Sequence, residues 1–257
     1  LKALIDKSHF TGLDRCVWLY SGAESPPHRG VASALQDYVT ARSKGPEGRL
    51  LNEQVEESCR RRIADMMDGK PEQIALISNA SEAINNIAQM IPFRSGDHVV
   101  ITDTEFPSGV LPWLHFRDHR IGVRVVPHRN WQVTVEDLME QVDEHTRLVV
   151  VSHVSFMTGS RLDYKLLYEK LKQTDTLLLV DVTQSLGVVP VSLQYADFMV
   201  SSSYKWLLSV HGAGILAINP ARTKGLNPSE IGWRSVEDLF RADRFQAYEF
   251  HSDARKF

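Results

Sequence analysis

Two apolar runs that resemble buried strands end in ionisable side chains. Residues 177–180 lead directly into Asp181, and residues 198–200 lead through three serines and Tyr204 to Lys205. A carboxylate at the end of an apolar strand needs a partner, because an unpaired buried charge is costly. Desolvation lowers the pKa of a lysine and makes its amine nucleophilic. The spacing therefore predicts chemistry at these strand ends, with a structural Asp–Lys ion pair as the alternative.

Pyridoxal phosphate is a cofactor that needs both of these residue types. A lysine forms a Schiff base with its aldehyde, and an aspartate pairs with its protonated pyridine nitrogen and keeps the ring an electron sink. Its phosphate needs an anion site. Residues 74–77 run through Asn79 into a helix pattern, and small residues there leave backbone N–H groups available to a phosphate. Asn79 and Glu82 also resemble a capping box, so an ordinary helix start is the alternative.

The elements that must position these residues alternate along the chain. Seven short apolar runs lack polar alternation, which is typical of strands buried on both faces of a parallel sheet. They lie at residues 74–77, 98–101, 123–126, 148–151, 177–180, 198–200 and 215–218. Helical periodicity lies between them, as at Val55, Cys59 and Ile63. This pattern predicts an α/β fold that binds its ligand at the carboxyl ends of the strands.

With these motifs in order, the sequence resembles the class V aminotransferase family of pyridoxal-phosphate-dependent enzymes, which includes kynureninase, isopenicillin N epimerase and cysteine desulfurase. The resemblance covers about residues 17–257. It implies the large domain of a fold-type-I PLP-dependent transferase, with a mostly parallel seven-stranded sheet between helices. The matching motifs lie at residues 79–85, 105–108, 112–113, 152–155, 158–159, 181–184, 202–205 and 212–214.

The resemblance implies roles around the cofactor ring. Lys205 is the implied catalytic residue and would carry the cofactor as an internal aldimine. Asp181 would bind the pyridine nitrogen, Gln184 would hydrogen-bond the ring hydroxyl, and Phe106 would stack on the ring. Thr158 belongs to the loop that the family places beside the ring.

The resemblance also implies a set of phosphate ligands. Ser81, the backbone of Ala80, and Ser202 would hold the phosphate. Tyr204 stands where desulfurases have histidine and kynureninases have a tyrosine that binds the phosphate. Trp233 resembles a kynureninase position that approaches the phosphate from the partner subunit.

The resemblance further implies the reaction. The enzyme would form an external aldimine with an amino acid and stabilise a carbanion at Cα. Phe106 and Tyr204 favour a lyase or epimerase, and an aminotransferase or a cysteine desulfurase/C–S lyase is the alternative. Phe156 departs from the family, because desulfurases have asparagine there. A non-catalytic binding module with this fold is the alternative of another class.

The family's motif order predicts the organisation of the chain. Residues 1–28 are expected to form an N-terminal arm, residues 29–222 the PLP-binding large domain, and residues 223–257 a connection. A C-terminal small domain that carries the arginine for the substrate carboxylate is expected after Phe257. The family also implies a homodimer.

Composition limits the other function classes. The 257 residues carry 29 basic and 32 acidic side chains, a net charge of −3, which argues against nucleic acid or a membrane as partner. No Cys-x-x-Cys or His-Glu-x-x-His spacing occurs, so no metal site is predicted. Without a signal peptide or a long apolar run, a cytoplasmic location is expected. Gly212, Gly214 and Ala217 fit a dinucleotide fingerprint, but an apolar strand follows them where a helix is required.

Overall fold

A seven-stranded sheet forms the centre of the protein in a computed structural model that describes residues 5–116 and 121–257. Each of the seven apolar runs between residues 74 and 218 forms a strand, and six of the seven strands extend beyond the run. The strands are β1 (Ile74–Ile77), β2 (His98–Thr102), β3 (Gly122–Val126), β4 (Thr146–Ser152), β5 (Leu177–Asp181), β6 (Phe198–Ser202) and β7 (Gly214–Ile218).

The order of the strands brings three carboxyl ends together. The sheet runs β1-β7-β6-β5-β4-β2-β3, and all neighbours are parallel except β7, which is antiparallel to β1 and β6. The mostly parallel fold-type-I architecture is thus confirmed. In the register, Ser152 of β4 lies beside Asp181 of β5, which lies beside Val200 of β6. These ends lead into the segments that carry the predicted chemistry.

Helices cover both faces of the sheet. One layer of the core includes Ala64, Leu138 and Leu167, and the other includes Ile84 and Trp113. Buried strands with near-continuous Val, Ile and Leu are expected where helices cover both faces. The helices are α1 (Arg29–Arg42), α2 (Pro46–Met66), α3 (Ala80–Met90), α4 (Leu111–Phe116), α5 (Val135–Met139), α6 (Tyr164–Leu171) and α7 (Pro220–Thr223). Short 3-10 turns lie at Lys7–His9, Pro71–Gln73, Pro107–Gly109, Leu193–Tyr195 and Ala254–Lys256.

The N-terminal region packs differently from the sheet. The apolar run at residues 17–20 also predicts a short strand, and this prediction is wrong, because the run is mostly exposed and no other strand pairs with it in the described residues. Helix α1 has no buried residue although it packs on α2. A Cβ at Gly48 would come within 1.6 Å of the Ala41 carbonyl oxygen, so glycine permits the close approach of the two helices. The first four residues of the predicted arm lie outside the described residues. The division at residues 28 and 222 stays a prediction.

The last residues of the chain lie against the sheet. Ala254 is buried and Phe257 is partly buried in the layer that contains α3. Val236 and Phe250 form an isolated antiparallel bridge between loops. Among the described residues, no helix is both long and apolar enough to cross a membrane.

Candidate active site

A cavity of about 430 Å³ lies at the carboxyl ends of β4, β5 and β6. It contains eight of the ten side chains or backbone positions that the sequence predicted. Because the eight come from distant parts of the chain, the sheet order is what brings them together. The eight are Ala80, Ser81, Phe106, Asp181, Gln184, Ser202, Tyr204 and Lys205.

Lys205 lies in an environment that favours a neutral amine. Lys205 is only 7% exposed, and its Nζ lies 5.3 Å from the ring centroid of Phe106 and 6.0 Å from that of Tyr204. Burial lowers the pKa of Lys205, and the charge of Asp181 opposes that shift. A lysine with a lowered pKa has a larger fraction of nucleophilic amine, as covalent attachment to an aldehyde requires.

Asp181 is held as an enclosed carboxylate rather than as half of an ion pair. Burial raises its pKa, while the Thr183 backbone N–H, at 2.8 Å from Oδ1, opposes the rise. Thr183 Oγ1 in turn accepts a hydrogen bond from the Ser202 backbone N–H at 3.1 Å. Within the described chain, Asp181 and Lys205 form no ion pair with each other, so the structural alternative lacks its contact. A carboxylate held in this way suits a protonated ring nitrogen.

Gln184 has a fixed amide orientation. Its Nε2 donates to the Gly22 carbonyl at 2.8 Å, and its Oε1 accepts from Trp206 Nε1 at 2.8 Å. Only this orientation satisfies both partners, because the carbonyl needs a donor and the indole N–H needs an acceptor. The second Nε2 hydrogen is therefore available for a ring hydroxyl, as the prediction for Gln184 requires.

The start of α3 forms the anion end of the cavity. Asn79 caps the helix by accepting from the Glu82 N–H at 2.9 Å, and Glu82 binds the Ser78 N–H, so the predicted cap is confirmed in modified form. A helix N-terminus presents partial positive charge and free N–H groups. The hydroxyls of Ser81 and Ser108, which both line the cavity, share a hydrogen bond of 2.7 Å.

Two further contacts fix this turn against the sheet. The Ala80 N–H donates to Ser202 Oγ at 3.3 Å, which joins the two predicted phosphate ligands. A Cβ at Gly214 would meet the backbone of Asn79 at 2.7 Å, so only glycine allows β7 to approach the turn. Hydroxyl and N–H donors at one end, with a carboxylate and a lysine at the other, fit the phosphate and the ring of pyridoxal phosphate.

Glu105 is a further enclosed carboxyl. It lies in the motif at residues 105–108, but the sequence predicted no role for it. It accepts hydrogen bonds from the Ser152 N–H at 2.9 Å, the Ser152 hydroxyl at 2.5 Å and the Thr102 hydroxyl at 3.1 Å. Burial raises the pKa of Glu105 to about 7, although the hydrogen bonds from Ser152 oppose the shift. Since Ser152 lines the cavity beside Asp181, Glu105 supports the cavity wall from behind.

Two predicted ligands lie outside the cavity lining. Thr158 forms a 2.7 Å hydroxyl contact with Ser160, and Trp233 is 58% exposed beside Arg234. Their cofactor contacts stay predictions.

Thr183 lines the cavity, but the sequence predicted no role for it, because its contact with Ser202 arises only when β5 and β6 pair. Nor is any group of at least three His, Cys, Asp or Glu arranged for a metal within residues 5–116 and 121–257.

Comparison with known proteins agrees with this geometry. The family model described as "Aminotransferase class-V" matches residues 17–257. The chain belongs to this family. This family depends on pyridoxal phosphate, so the predicted family and cofactor are confirmed.

Individual relatives extend the comparison. The chain is 31% identical to a probable cysteine desulfurase of Methanothermobacter thermautotrophicus, over 83% of this chain and 54% of the relative. It is 26% identical to the uncharacterized aminotransferase YcbU of Bacillus subtilis, over 90% of this chain and 62% of the relative. The chain therefore spans about half to three-fifths of the length of these relatives.

A solved structure supports the fold. A C-DES mutant with glycine covalently linked to its PLP cofactor matches with a TM-score of 0.90 and 21% identity, over 98% of this chain and 69% of that chain. The agreement extends across nearly all of this chain. At this identity the likeness concerns the fold.

Proposed function

We propose that the protein is a PLP-dependent enzyme that acts on an amino acid at Cα, as a lyase or an epimerase. The observation that carries the proposal is the buried Lys205 beside the enclosed Asp181, in a cavity whose other end is the start of α3. When bound, pyridoxal phosphate supplies an electron sink for the substrate's Cα. The chain's own residues bind it and move the proton.

Each side chain has a defined task in this proposal. Lys205 would hold the cofactor through its aldehyde, and its amine, freed when the substrate's amine takes its place on that carbon, would move the proton at the substrate's Cα. Asp181 keeps a proton on the pyridine nitrogen. Gln184 donates its second Nε2 hydrogen to the ring hydroxyl, and Phe106 packs against the ring. All four residues line one cavity.

The phosphate is assigned to the opposite end. Ser81, the backbone of Ala80, Ser202 and Tyr204 would hold it at the positive end of α3, with the Ala80 N–H turning from Ser202 Oγ to the phosphate. Trp233 contacts the phosphate from a second copy of the chain, in a homodimer. Thr158 lies beside the cofactor ring, and the protein acts in the cytoplasm.

Two residues favour the lyase or epimerase. Phe106 and Tyr204 carry the resemblance to kynureninase and isopenicillin N epimerase, and both rings flank Lys205 Nζ. The second candidate is an aminotransferase or a cysteine desulfurase/C–S lyase. It is supported by the names of the two relatives, one a probable cysteine desulfurase and the other an uncharacterized aminotransferase.

The first experiment tests the cofactor bond. The protein is incubated with pyridoxal phosphate, and its visible absorption is recorded before and after borohydride reduction. We expect a band that reduction removes, with the added mass on Lys205, and no band in Lys205→Ala. Lys165→Ala, a lysine beside Tyr195 and outside the cavity, serves as the control and keeps the band. A wild-type protein without the band would contradict the proposal and favour a non-catalytic module.

The second experiment separates the reactions. A panel of amino acids is incubated with the loaded protein, and products and Cα hydrogen exchange in deuterated water are measured. A lyase releases product without an acceptor, and an epimerase exchanges the Cα hydrogen and inverts the centre. Keto-acid formation that requires an acceptor keto acid would overturn the lyase or epimerase in favour of the aminotransferase.

A further inference from the structure

The N-terminal arm contacts the wall of the cavity at Tyr204. The Ser25 backbone N–H and the Ser25 hydroxyl both donate to the Tyr204 carbonyl, each at 3.0 Å. The neighbouring Glu24 pairs with His211, with 3.2 Å between Oε1 and Nε2. The His211 ring stacks on the Tyr204 ring, with centroids 3.9 Å apart and planes 23° apart. The arm therefore restrains Tyr204 at its backbone and, through His211, at its ring.

Polar contacts hold the arm in this position. Leu19 is 91% exposed and Val17 is 84% exposed, so burial of these two side chains does not hold this segment. Trp18 Nε1 donates to the Glu24 carbonyl at 3.0 Å and closes the turn. Gly22 accepts from Gln184, another residue of the cavity wall. An arm anchored in this way has its position coupled to the residues that line the cavity.

We propose that Glu24 and Ser25 are positioning residues for the cofactor phosphate, acting through His211 and Tyr204. The inference rests on the proposed function, in which Tyr204 donates to the phosphate. The Tyr204 hydroxyl points in a direction set by the backbone that Ser25 holds and by the ring plane that His211 holds. Loss of these restraints leaves the tyrosine free to take other rotamers, and ordering it again on binding costs free energy.

The experiment compares two cofactors that differ only in the phosphate. Pyridoxal phosphate and pyridoxal are titrated into the protein, and the visible band gives each dissociation constant. We expect Glu24→Gln to weaken pyridoxal phosphate about threefold and Glu24→Gln/Ser25→Ala about tenfold, since such exposed pairs and hydrogen bonds contribute modestly. Binding of pyridoxal stays within about twofold of wild type, because pyridoxal makes no phosphate contact.

Two controls isolate the route through Tyr204. Glu237→Gln removes a comparably exposed carboxylate from another histidine, His251, and leaves both affinities unchanged. In a Tyr204→Phe background, Glu24→Gln adds no further loss for pyridoxal phosphate, because the hydroxyl that it positions is gone.

Three results would overturn the inference. Equal weakening of both cofactors means that the arm merely supports the fold, and no weakening of either means that Tyr204 needs no positioning. An undiminished effect of Glu24→Gln in Tyr204→Phe excludes the route through the hydroxyl. If the wild-type protein binds neither cofactor, the proposed function itself is wrong. This outcome differs from a failure of the inference, because the wild-type protein alone reveals it.

Discussion

Most apolar residues of the sheet are buried, whereas those of helix α1 are not. Leu178, Leu179 and Val180 of β5 are fully buried, whereas Leu35 of α1 is 55% exposed. Both regions contain many apolar residues. The difference is that other parts of this chain cover β5 on both faces, while α1 packs on α2. An apolar pattern thus indicates that a surface suits burial, and the tertiary contacts decide whether this chain buries it.

The same contrast explains where the cavity lies. Its ionisable groups follow the most enclosed strands. Low solvent access there raises the pKa of Asp181 and lowers the pKa of Lys205, and both shifts favour the neutral form of the group. Cys59 on α2 is exposed, and its sequence pattern alone predicted a position on an apolar helical face. Groups whose reactivity depends on desolvation, such as the amine of Lys205, are therefore found at the ends of the buried strands and not on α2.

The largest expected difference between the two regions is in stability. Leu179→Ala removes a fully buried side chain and leaves a cavity, so we expect a loss of about 3 kcal/mol in the free energy of unfolding. Leu35→Ala makes the same substitution on α1 and should change it by less than about 0.5 kcal/mol. Chemical denaturation of both variants measures the contrast. A loss at Leu35 that matched the loss at Leu179 would show that α1 is covered in solution.

The next prediction concerns the close approach at the phosphate turn. Gly214→Ala places a Cβ 2.7 Å from the Asn79 backbone, so the turn must shift. We expect a loss of about 1–3 kcal/mol in stability and weaker binding of pyridoxal phosphate. Gly232→Ala is the matched control, because nothing lies within 4 Å of its added Cβ, and it should stay near wild type in both measurements. Unchanged cofactor affinity in Gly214→Ala would show that the close approach of β7 to the turn does not affect phosphate binding.

A further prediction is a pH dependence located at the cavity wall. The pKa of Glu105 is raised from 4.5 to about 7 by burial, so the folded state binds a proton that the unfolded state has released within this range. Its contribution to stability therefore falls as pH rises from about 4.5 to 7 and is level above, with a slope of at most about 1.4 kcal/mol per pH unit. Glu105→Gln should remove this slope in denaturation measured across the range. An identical slope in wild type and variant would contradict the assignment.

Much of the fold and part of the site were predictable from local sequence. The strands follow from apolar runs, and the start of α3 follows from Asn79, since caps and strand patterns depend on neighbouring residues. The residue types at Asp181 and Lys205 indicated the cofactor. The contacts of Gln184 with Gly22 and Trp206 were not predictable, because the partners are far apart along the chain and no periodic pattern joins them.

Local sequence patterns specify the seven strands of the sheet, the residues that bring chemistry to the strand ends, and the family to which the chain belongs. The packing of the elements places eight of those positions in one cavity, sets Glu105 against the wall of that cavity, and brings the arm to Tyr204. The two kinds of information differ in their reach along the chain. Propensity, capping and periodicity act over a few residues, whereas burial, pKa shifts and hydrogen bonds depend on which elements pack side by side.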